Sequence, residues 1–189
     1  MRADETAGGK DAAAYIAGIA LVEVTPDLAA AYLDMVEDFE AAGEGYPFND
    51  ADLARRDFAA FVDDLRNESL GVGLPPGVVP QTTYLLLDGE GRALGEMRFR
   101  PHLTPPFERH NGHIGYNVRP RERGKGYATR MLALVLEKAR ALGLERVMLP
   151  VEGENPASAR VIEKNGGALE RRVMDEESGE PVALYWIAL

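Results

Sequence analysis

The sequence predicts an α/β domain in which a central, mixed but mostly antiparallel sheet of about six to seven strands is flanked by about four helices. Strand-like and helix-like segments follow one another in the order β-α-α-β-β-β-α-β-α-β-β. Strands that adjoin early in this order favour hairpins, and a long amphipathic helix between two later strands favours a crossover connection. The chain of 189 residues is long enough for one compact core. We therefore expect residues 13–189 to form a single domain behind a flexible N-terminal tail, residues 1–12.

The first third of the chain is predicted to contain one strand and two helices. Residues 19–24 alternate weakly between apolar and polar side chains, as a strand does. The tripeptide Thr-Pro-Asp at 25–27 is a helix start, with a capping hydroxyl, a proline in the first turn and an acid near the positive end of the helix dipole. A second helix is expected over about residues 50–65, before a loop at 71–80 that is rich in glycine and proline.

The rest of the chain alternates strands with two further helices. The strand segments are short apolar runs, whereas the helical segments carry apolar residues three and four positions apart. In chain order we expect strands at 82–87, 93–100 and 113–118 with an irregular loop at 101–109, a helix at 124–142, a strand at 146–151, a helix from 155 or 156 to 165, and a hairpin of strands at 168–174 and 182–189.

Composition excludes several classes of function. The chain has no cysteine, which rules out disulfides, thiolate metal sites and a cysteine nucleophile. Its three histidines are too few and too close in sequence to build a metal site, so no metal is expected. The net charge of -10 argues against general nucleic-acid binding, which needs a basic face. No stretch reaches the roughly 18 to 20 apolar residues that span a bilayer, so we expect no membrane partner and a cytoplasmic location.

A basic segment with two glycines follows the strand at 113–118. Between Arg119 and Arg130 there are five basic residues and one acid, which makes a local charge of +4 in a chain of -10. Gly124 and Gly126 allow backbone N–H groups to converge at a helix N-terminus, where the dipole favours anions. The segment therefore predicts a phosphate-binding turn, with a helix start that merely carries surface charge as the alternative.

Two landmarks in this half of the chain resemble the GNAT superfamily of N-acetyltransferases. The motif R-x-x-G-x-G at 121–126 matches the family pattern Q/R-x-x-G-x-G/A, and it lies between a strand and a helix as the family requires. The second landmark is the strand at 147–151 followed by Asn155 and Ser158 at the start of a helix. The order of elements is also similar to that of the family over about residues 19–189.

The resemblance implies a GNAT fold splayed at the strand before the cofactor loop, with acetyl-CoA as cofactor and CoA as product. It further implies that an amine attacks the thioester directly, so the protein must position the amine and remove its proton. Backbone groups of the splayed strand would receive the acetyl and pantetheine end, and the amides of residues 123–129 would hold the pyrophosphate. The implied cofactor-binding residues are Asn117, Val118, Arg121, Arg123, Gly124, Lys125, Gly126, Tyr127, Ala128, Thr129, Asn155 and Ser158.

One catalytic group of the family is missing at its usual position. Many members carry a tyrosine in the last helix that protonates the leaving thiolate, and the matching position here is Ile162. Tyr116, Tyr185 or water is left for this role.

The base is also not at its usual place. Many members place a glutamate early in the strand before the phosphate loop, where this chain has His113. His113 is a candidate base because the unperturbed pKa of histidine lies nearest neutrality, and the alternative is that it only hydrogen-bonds a loop carbonyl. Glu96, on one strand face with Arg98 and Arg100, is the second candidate, with a solvated edge of charges as its alternative. Glu152 is the third, with a surface carboxylate as its alternative.

The expected function is transfer of an acetyl group from acetyl-CoA to a primary amine of a small molecule or a protein. The missing tyrosine suggests a non-catalytic acyl-CoA-binding module as the alternative, and a third hypothesis is an interaction domain whose glycine turn binds nothing. The acidic net charge favours a cationic amine as the acceptor. Dimers are common in the family, so the resemblance also allows a homodimer.

Overall fold

The computed structural model describes residues 18–175 and 179–189, so the predicted tail at 1–12 and part of the last hairpin turn lie outside the described residues. Among the described residues, no helix is both long enough and apolar enough to cross a bilayer. In the same ranges the strands are β1 (Ala20–Glu23), β2 (Thr82–Leu87), β3 (Ala93–Phe99), β4 (Ile114–Val118), β5 (Arg146–Glu152), β6 (Ala168–Met174) and β7 (Pro181–Ala188), and the α-helices are α1 (Ala29–Ala41), α2 (Ala51–Arg56), α3 (Phe58–Leu70), α4 (Pro105–His110), α5 (Tyr127–Ala141) and α6 (Pro156–Lys164).

The strands form two sheets that adjoin at β4 and β5. The first sheet has the order β1-β2-β3-β4 and the second has the order β5-β7-β6. Each strand pair within these sheets is antiparallel. The predicted α/β architecture with about seven strands is therefore confirmed, although the pairing inside each sheet is antiparallel and not mixed.

Helices cover both faces of the first sheet. Successive side chains of a strand point to opposite faces, so β3 directs Glu96 toward α1 and Met97 toward α5. The α1 face packs an aromatic cluster against β2 and β3, with Tyr32, Phe39, Phe61, Leu85 and Ala93 as buried members. The α5 face packs the apolar stripe of the long helix against both sheets, with Met97, Met131, Leu132, Val135 and Leu149 as buried members.

Two predicted segments differ from the structure. The helix expected over residues 50–65 is broken into α2 and α3, because Asp57 leaves the helical conformation at φ -153° and ψ 89°. Its carboxylate instead caps α3 by accepting the Ala60 N–H at 3.0 Å. The loop expected over 101–109 contains α4, which begins at Pro105, where a proline suits the first turn. These two changes account for the difference between the roughly four helices expected and those in the described residues.

Candidate active site

The two sheets part between β4 and β5, immediately before the predicted phosphate turn. The N–H of His113 donates to the Met148 carbonyl at 2.8 Å where the strands begin. Gly112 permits this close approach, because a Cβ there would lie 2.6 Å from the same carbonyl oxygen. Beyond this junction β4 pairs with β3, β5 pairs with β7, and no ladder joins β4 to β5 among the described residues. The opening agrees with the splay that the family resemblance implies.

Glu96 lies beside this opening, opposite Asn117 of β4. Its side chain is completely buried, and both carboxylate oxygens accept hydrogen bonds. The Tyr46 hydroxyl donates to Oε2, and the Asn49 amide donates to Oε1 at 2.8 Å. Arg98 donates to Asn49 Oδ1 and places its Nε 3.8 Å from Glu96 Oε1. The sequence-based alternative of a solvated edge of charges is therefore wrong for Glu96.

Burial sets the charge of this carboxyl. Desolvation raises the pKa of Glu96 to about 7. The hydrogen bonds of Tyr46 and Asn49 and the charge of Arg98 favour the ionised form and lower the pKa, but their effect is smaller than that of burial. The phenol pKa values of Tyr46 and the neighbouring Tyr32 are raised by burial and by the Glu96 charge, so both phenols keep their protons. A carboxyl that exchanges a proton near neutral pH meets the requirement for a general base. We call these five side chains (Tyr32, Tyr46, Asn49, Glu96 and Arg98) the Glu96 cluster.

His113 joins the two sheets. Its Nδ1 accepts the Met148 N–H at 3.0 Å, so this nitrogen carries no proton and is already occupied. Burial, followed by the positive charge of Arg100, lowers the pKa of His113 to about 4, which keeps the ring neutral at pH 7. The sequence-based alternative of a backbone hydrogen bond matches this geometry, except that the partner is an N–H and not a carbonyl. Arg100 anchors the segment just before His113 by donating hydrogen bonds to the carbonyls of Asn111 and Gly112.

Tyr116 crosses the opening from β4 to α6. Its hydroxyl lies 2.7 Å from Ser158 Oγ, and burial raises its phenol pKa, so it stays protonated. Asn155 caps α6 by accepting the Ser158 N–H at 2.9 Å. The structure thus brings three of the predicted site residues, Tyr116, Asn155 and Ser158, together at the opening. Tyr185 and Ile162, in contrast, lie in the core with 4% and 0% of their surface exposed.

The turn between β4 and α5 presents backbone N–H groups to open space. Gly124 and Gly126 have φ values of +77° and +85°, a left-handed conformation that other residues avoid. A Cβ on either glycine would meet no protein atom within 4 Å. Gly126 is the N-cap of α5 and has no side chain to cap the helix, and the first amides of a helix lack carbonyl partners inside it. Unpartnered amides at a helix N-terminus, together with the helix dipole, favour the binding of an anion.

The basic side chains around this turn are paired with acids. Arg123 forms a bidentate pair with Glu44, both contacts at 2.7 Å, and Lys125 lies 2.8 Å from Glu122. The other pairs join the turn to α1, and they are Arg119 with Asp34 and Asp38, and Arg121 with Asp38. Most of the local positive charge is therefore neutralised. The backbone amides, more than these side chains, are left to bind a phosphate.

Sequence reasoning missed Tyr32, Tyr46 and Asn49. Tyr46 and Asn49 lie in the connection between α1 and α2, 50 and 47 residues before Glu96. The available signal was the segment Gly-Tyr-Pro-Phe-Asn-Asp at 45–50, which places aromatic and amide side chains in an otherwise polar connection. Such residues in a connection between helices are candidates for a binding site.

Solved structures of acetyltransferases share this fold. A ribosomal L7/L12 α-N-protein acetyltransferase in complex with coenzyme A has 19% identity and a TM-score of 0.66, over 91% of this chain and 94% of that chain. A ribosomal-protein-S5-alanine acetyltransferase from Vibrio fischeri has 16% identity and a TM-score of 0.65, over 90% and 93%. A dodecameric spermidine N-acetyltransferase from Vibrio cholerae has 16% identity and a TM-score of 0.60, over 90% and 94%. At these identities the likeness concerns the fold.

The family is shown by the sequence itself. A search among curated proteins found no match. The model of the GNAT acetyltransferase domain, however, matches residues 19–168, which is most of the chain and includes the Glu96 cluster, the opening and the glycine turn. The chain therefore belongs to the GNAT acetyltransferase family.

Proposed function

We propose that this protein is an N-acetyltransferase that moves the acetyl group of acetyl-CoA to the primary amine of a cationic acceptor. The observation that carries the proposal is the buried Glu96 carboxyl, with a pKa of about 7, beside the opening between the sheets. Membership of the GNAT family supports acetyl transfer as the reaction class. The anion-binding turn before α5 supports a phosphate-containing donor.

The residues at the opening fit acetyl-CoA. Asn117 Nδ2 is buried and has no hydrogen-bond partner among the described residues, and the turn at Gly124 and Gly126 is open. We infer that Asn117 and Val118 hold the acetyl and pantetheine end. The amides from Gly124 onward hold the pyrophosphate, and the start of α6 contacts the pantetheine arm. When bound there, acetyl-CoA supplies an activated thioester.

The proposed proton transfers use one group from each face of the first sheet. Glu96 is the base that receives the proton of the amine. Tyr116 is the acid, because its phenol is protonated and lies between β4 and α6, where the leaving sulfur would be released. His113 is less suited to the role of base, since its unprotonated nitrogen already accepts the Met148 N–H. Glu152 is exposed to solvent and lacks the buried surroundings of Glu96.

The acceptor is proposed to enter through a cavity between α2 and α3. This cavity has a volume of ≈ 340 Å³, and Asn49 of the Glu96 cluster is part of its wall. Three acids also line it, namely Asp50, Asp64 and Glu68. A concave site with one sign of charge concentrates ligands of the opposite sign. The cavity therefore supports a cationic amine, one of whose amino groups would reach the Glu96 cluster.

Replacing Asp64 by asparagine is expected to raise KM for a diamine or polyamine about three-fold at low salt, because one attractive charge leaves the wall. The affinity for acetyl-CoA should not change. The matched control is Asp63→Asn, which removes an exposed charge one position away that does not line the cavity. Steady-state kinetics at two ionic strengths measure both variants, since screening should reduce the difference. Equal effects of the two substitutions would contradict the placement of the acceptor.

The proposed function as a whole is tested by calorimetric titration with acetyl-CoA and with CoA, followed by acetyl transfer to a panel of amines. We expect micromolar binding and transfer that is fastest with di- and polycationic amines. Binding without transfer to any amine would favour the non-catalytic acyl-CoA-binding module instead. No binding of either compound to a folded sample would contradict both hypotheses.

A further inference from the structure

Glu96 needs an intermediary to receive a proton from an acceptor amine. Its side chain has 0% of its surface exposed, and both of its oxygens are occupied by Tyr46 and Asn49. An incoming amine therefore meets the partners of Glu96 before it can meet the carboxylate.

The groups around Glu96 differ in their ability to pass a proton. The Asn49 side chain donates a hydrogen bond to Glu96 through its amide nitrogen, which cannot accept a proton. Its amide oxygen accepts a hydrogen bond from Arg98. The guanidinium of Arg98 only donates hydrogen bonds and has no lone pair to offer. A phenol hydroxyl donates through its hydrogen and accepts through its oxygen, so it can do both at once. Tyr32 has such a hydroxyl, but it is 0% exposed.

Of the two phenols, Tyr46 has the more exposed side chain. It lies in the connection between α1 and α2, it is partly exposed, and its neighbours Gly45 and Pro47 are exposed. Its ring is held edge-on against Tyr32 and Phe39, with centroids 5.7 and 5.2 Å apart. This packing keeps the hydroxyl directed at Glu96 Oε2.

We propose, as a deepening of the proposed function on which it rests, that Tyr46 is a catalytic residue that relays the proton of the acceptor amine to Glu96. An N–H bond of the substrate ammonium breaks, and its electron pair stays on nitrogen as the lone pair that attacks. The proton forms a new O–H bond at the Tyr46 oxygen, while the original hydroxyl proton of Tyr46 moves to Glu96 Oε2. The ammonium charge and the carboxylate charge disappear together, and Tyr46 ends as a neutral phenol. Asn49 is a positioning residue that holds Oε1.

The experiment compares Tyr46→Phe with Tyr84→Phe, which removes a phenol hydroxyl of β2 that lies outside the Glu96 cluster, on the α5 face of the sheet. We expect Tyr46→Phe to lower kcat about 10- to 100-fold, the order of a lost proton-transfer group, and to leave acetyl-CoA binding unchanged. Tyr84→Phe should change kcat less than about three-fold, since that hydroxyl is outside the proposed site. Circular dichroism and thermal unfolding of both variants establish that they fold.

A pH profile separates a relay from a merely structural hydrogen bond. The Tyr46 hydrogen bond lowers the pKa of Glu96, so its loss should raise that pKa further. Carbon-13 NMR of labelled glutamate in the protein without acetyl-CoA measures this shift, with Arg98 and Tyr32 as the other charged or titratable groups facing Glu96. A relay predicts that kcat of Tyr46→Phe stays low even above the new pKa.

Two results would overturn parts of this picture separately. Recovery of Tyr46→Phe to the kcat of the unsubstituted protein at high pH would contradict the relay and leave Glu96 as the base. Full activity of Glu96→Gln would instead contradict the proposed base itself.

Discussion

Replacing Glu96 by glutamine is expected to lower kcat about 10²- to 10³-fold, because the proposed general base disappears while the volume of the side chain is kept. Binding of acetyl-CoA, measured by calorimetry, should be unchanged, since Glu96 is proposed to act on the acceptor and not to hold the cofactor. The matched control is Glu152→Gln, which removes an exposed carboxylate at the end of β5 that the sequence also offers as a base. A large loss in the control with full activity of Glu96→Gln would reverse the assignment.

The pH dependence of the unsubstituted protein follows from the same carboxyl. Glu96 accepts a proton only when it is ionised, and its pKa is about 7. We therefore expect kcat to rise with pH through about 7 and to level off above it, and this acidic limb should be absent in Glu96→Gln.

Stability should show the opposite dependence on pH. Because burial raises the pKa of Glu96 from 4.5 in the unfolded chain to about 7, the protonated carboxyl favours the folded state. This contribution is complete below pH 4.5 and is lost as the pH rises through about 7. Urea unfolding should therefore show Glu96→Gln gaining stability relative to the unsubstituted protein over this range.

Replacing Gly126 by valine is expected to weaken acetyl-CoA binding at least about 100-fold, because the side chain would occupy the space beside the α5 amides where the pyrophosphate is proposed to lie. No protein atom lies within 4 Å of a Cβ at this position, so the added bulk conflicts with a ligand and not with the core. Calorimetric titration measures the loss.

Gly143→Val is the matched control for this substitution. Gly143 follows α5 with a φ of +80°, close to the +85° of Gly126, and a Cβ there also meets no protein atom within 4 Å. Each valine should therefore cost about 1–2 kcal/mol of backbone strain. Only Gly126→Val should lose the cofactor. Equal losses of affinity would show that strain, and not occupation of the site, is the cause.

Much of the fold could be predicted from the sequence because the signals are local. Apolar spacing located the long helix α5, and the family motif located the turn at Gly124 and Gly126. The break at Asp57 was missed because the apolar stripe continues across it. In the structure the Asp57 carboxylate caps the start of α3, and its backbone is not helical. The short helix α4 was missed because three prolines suggested a loop, although proline is also favoured in a first helical turn.

The candidate site could be predicted only in part, because its partners are distant in sequence. The turn has a local charge of +4 in the sequence, but Arg119 and Arg121 form ion pairs with Asp38 of α1, which no local pattern could reveal. Glu96 was one candidate among three, and its burial depends on how α1 and its following connection cover β3.

The sequence by itself determined the family, the order of the strands and the position of the glycine turn, because each depends on residues within a few positions of one another. Tertiary structure alone decided which carboxyl is buried, and which hydroxyl and amide hold it. Tyr46 and Asn49 come from a connection 50 and 47 residues away from Glu96. Desolvation, which raises the pKa of Glu96, is a property of everything packed around the group and not of the residues beside it in the chain.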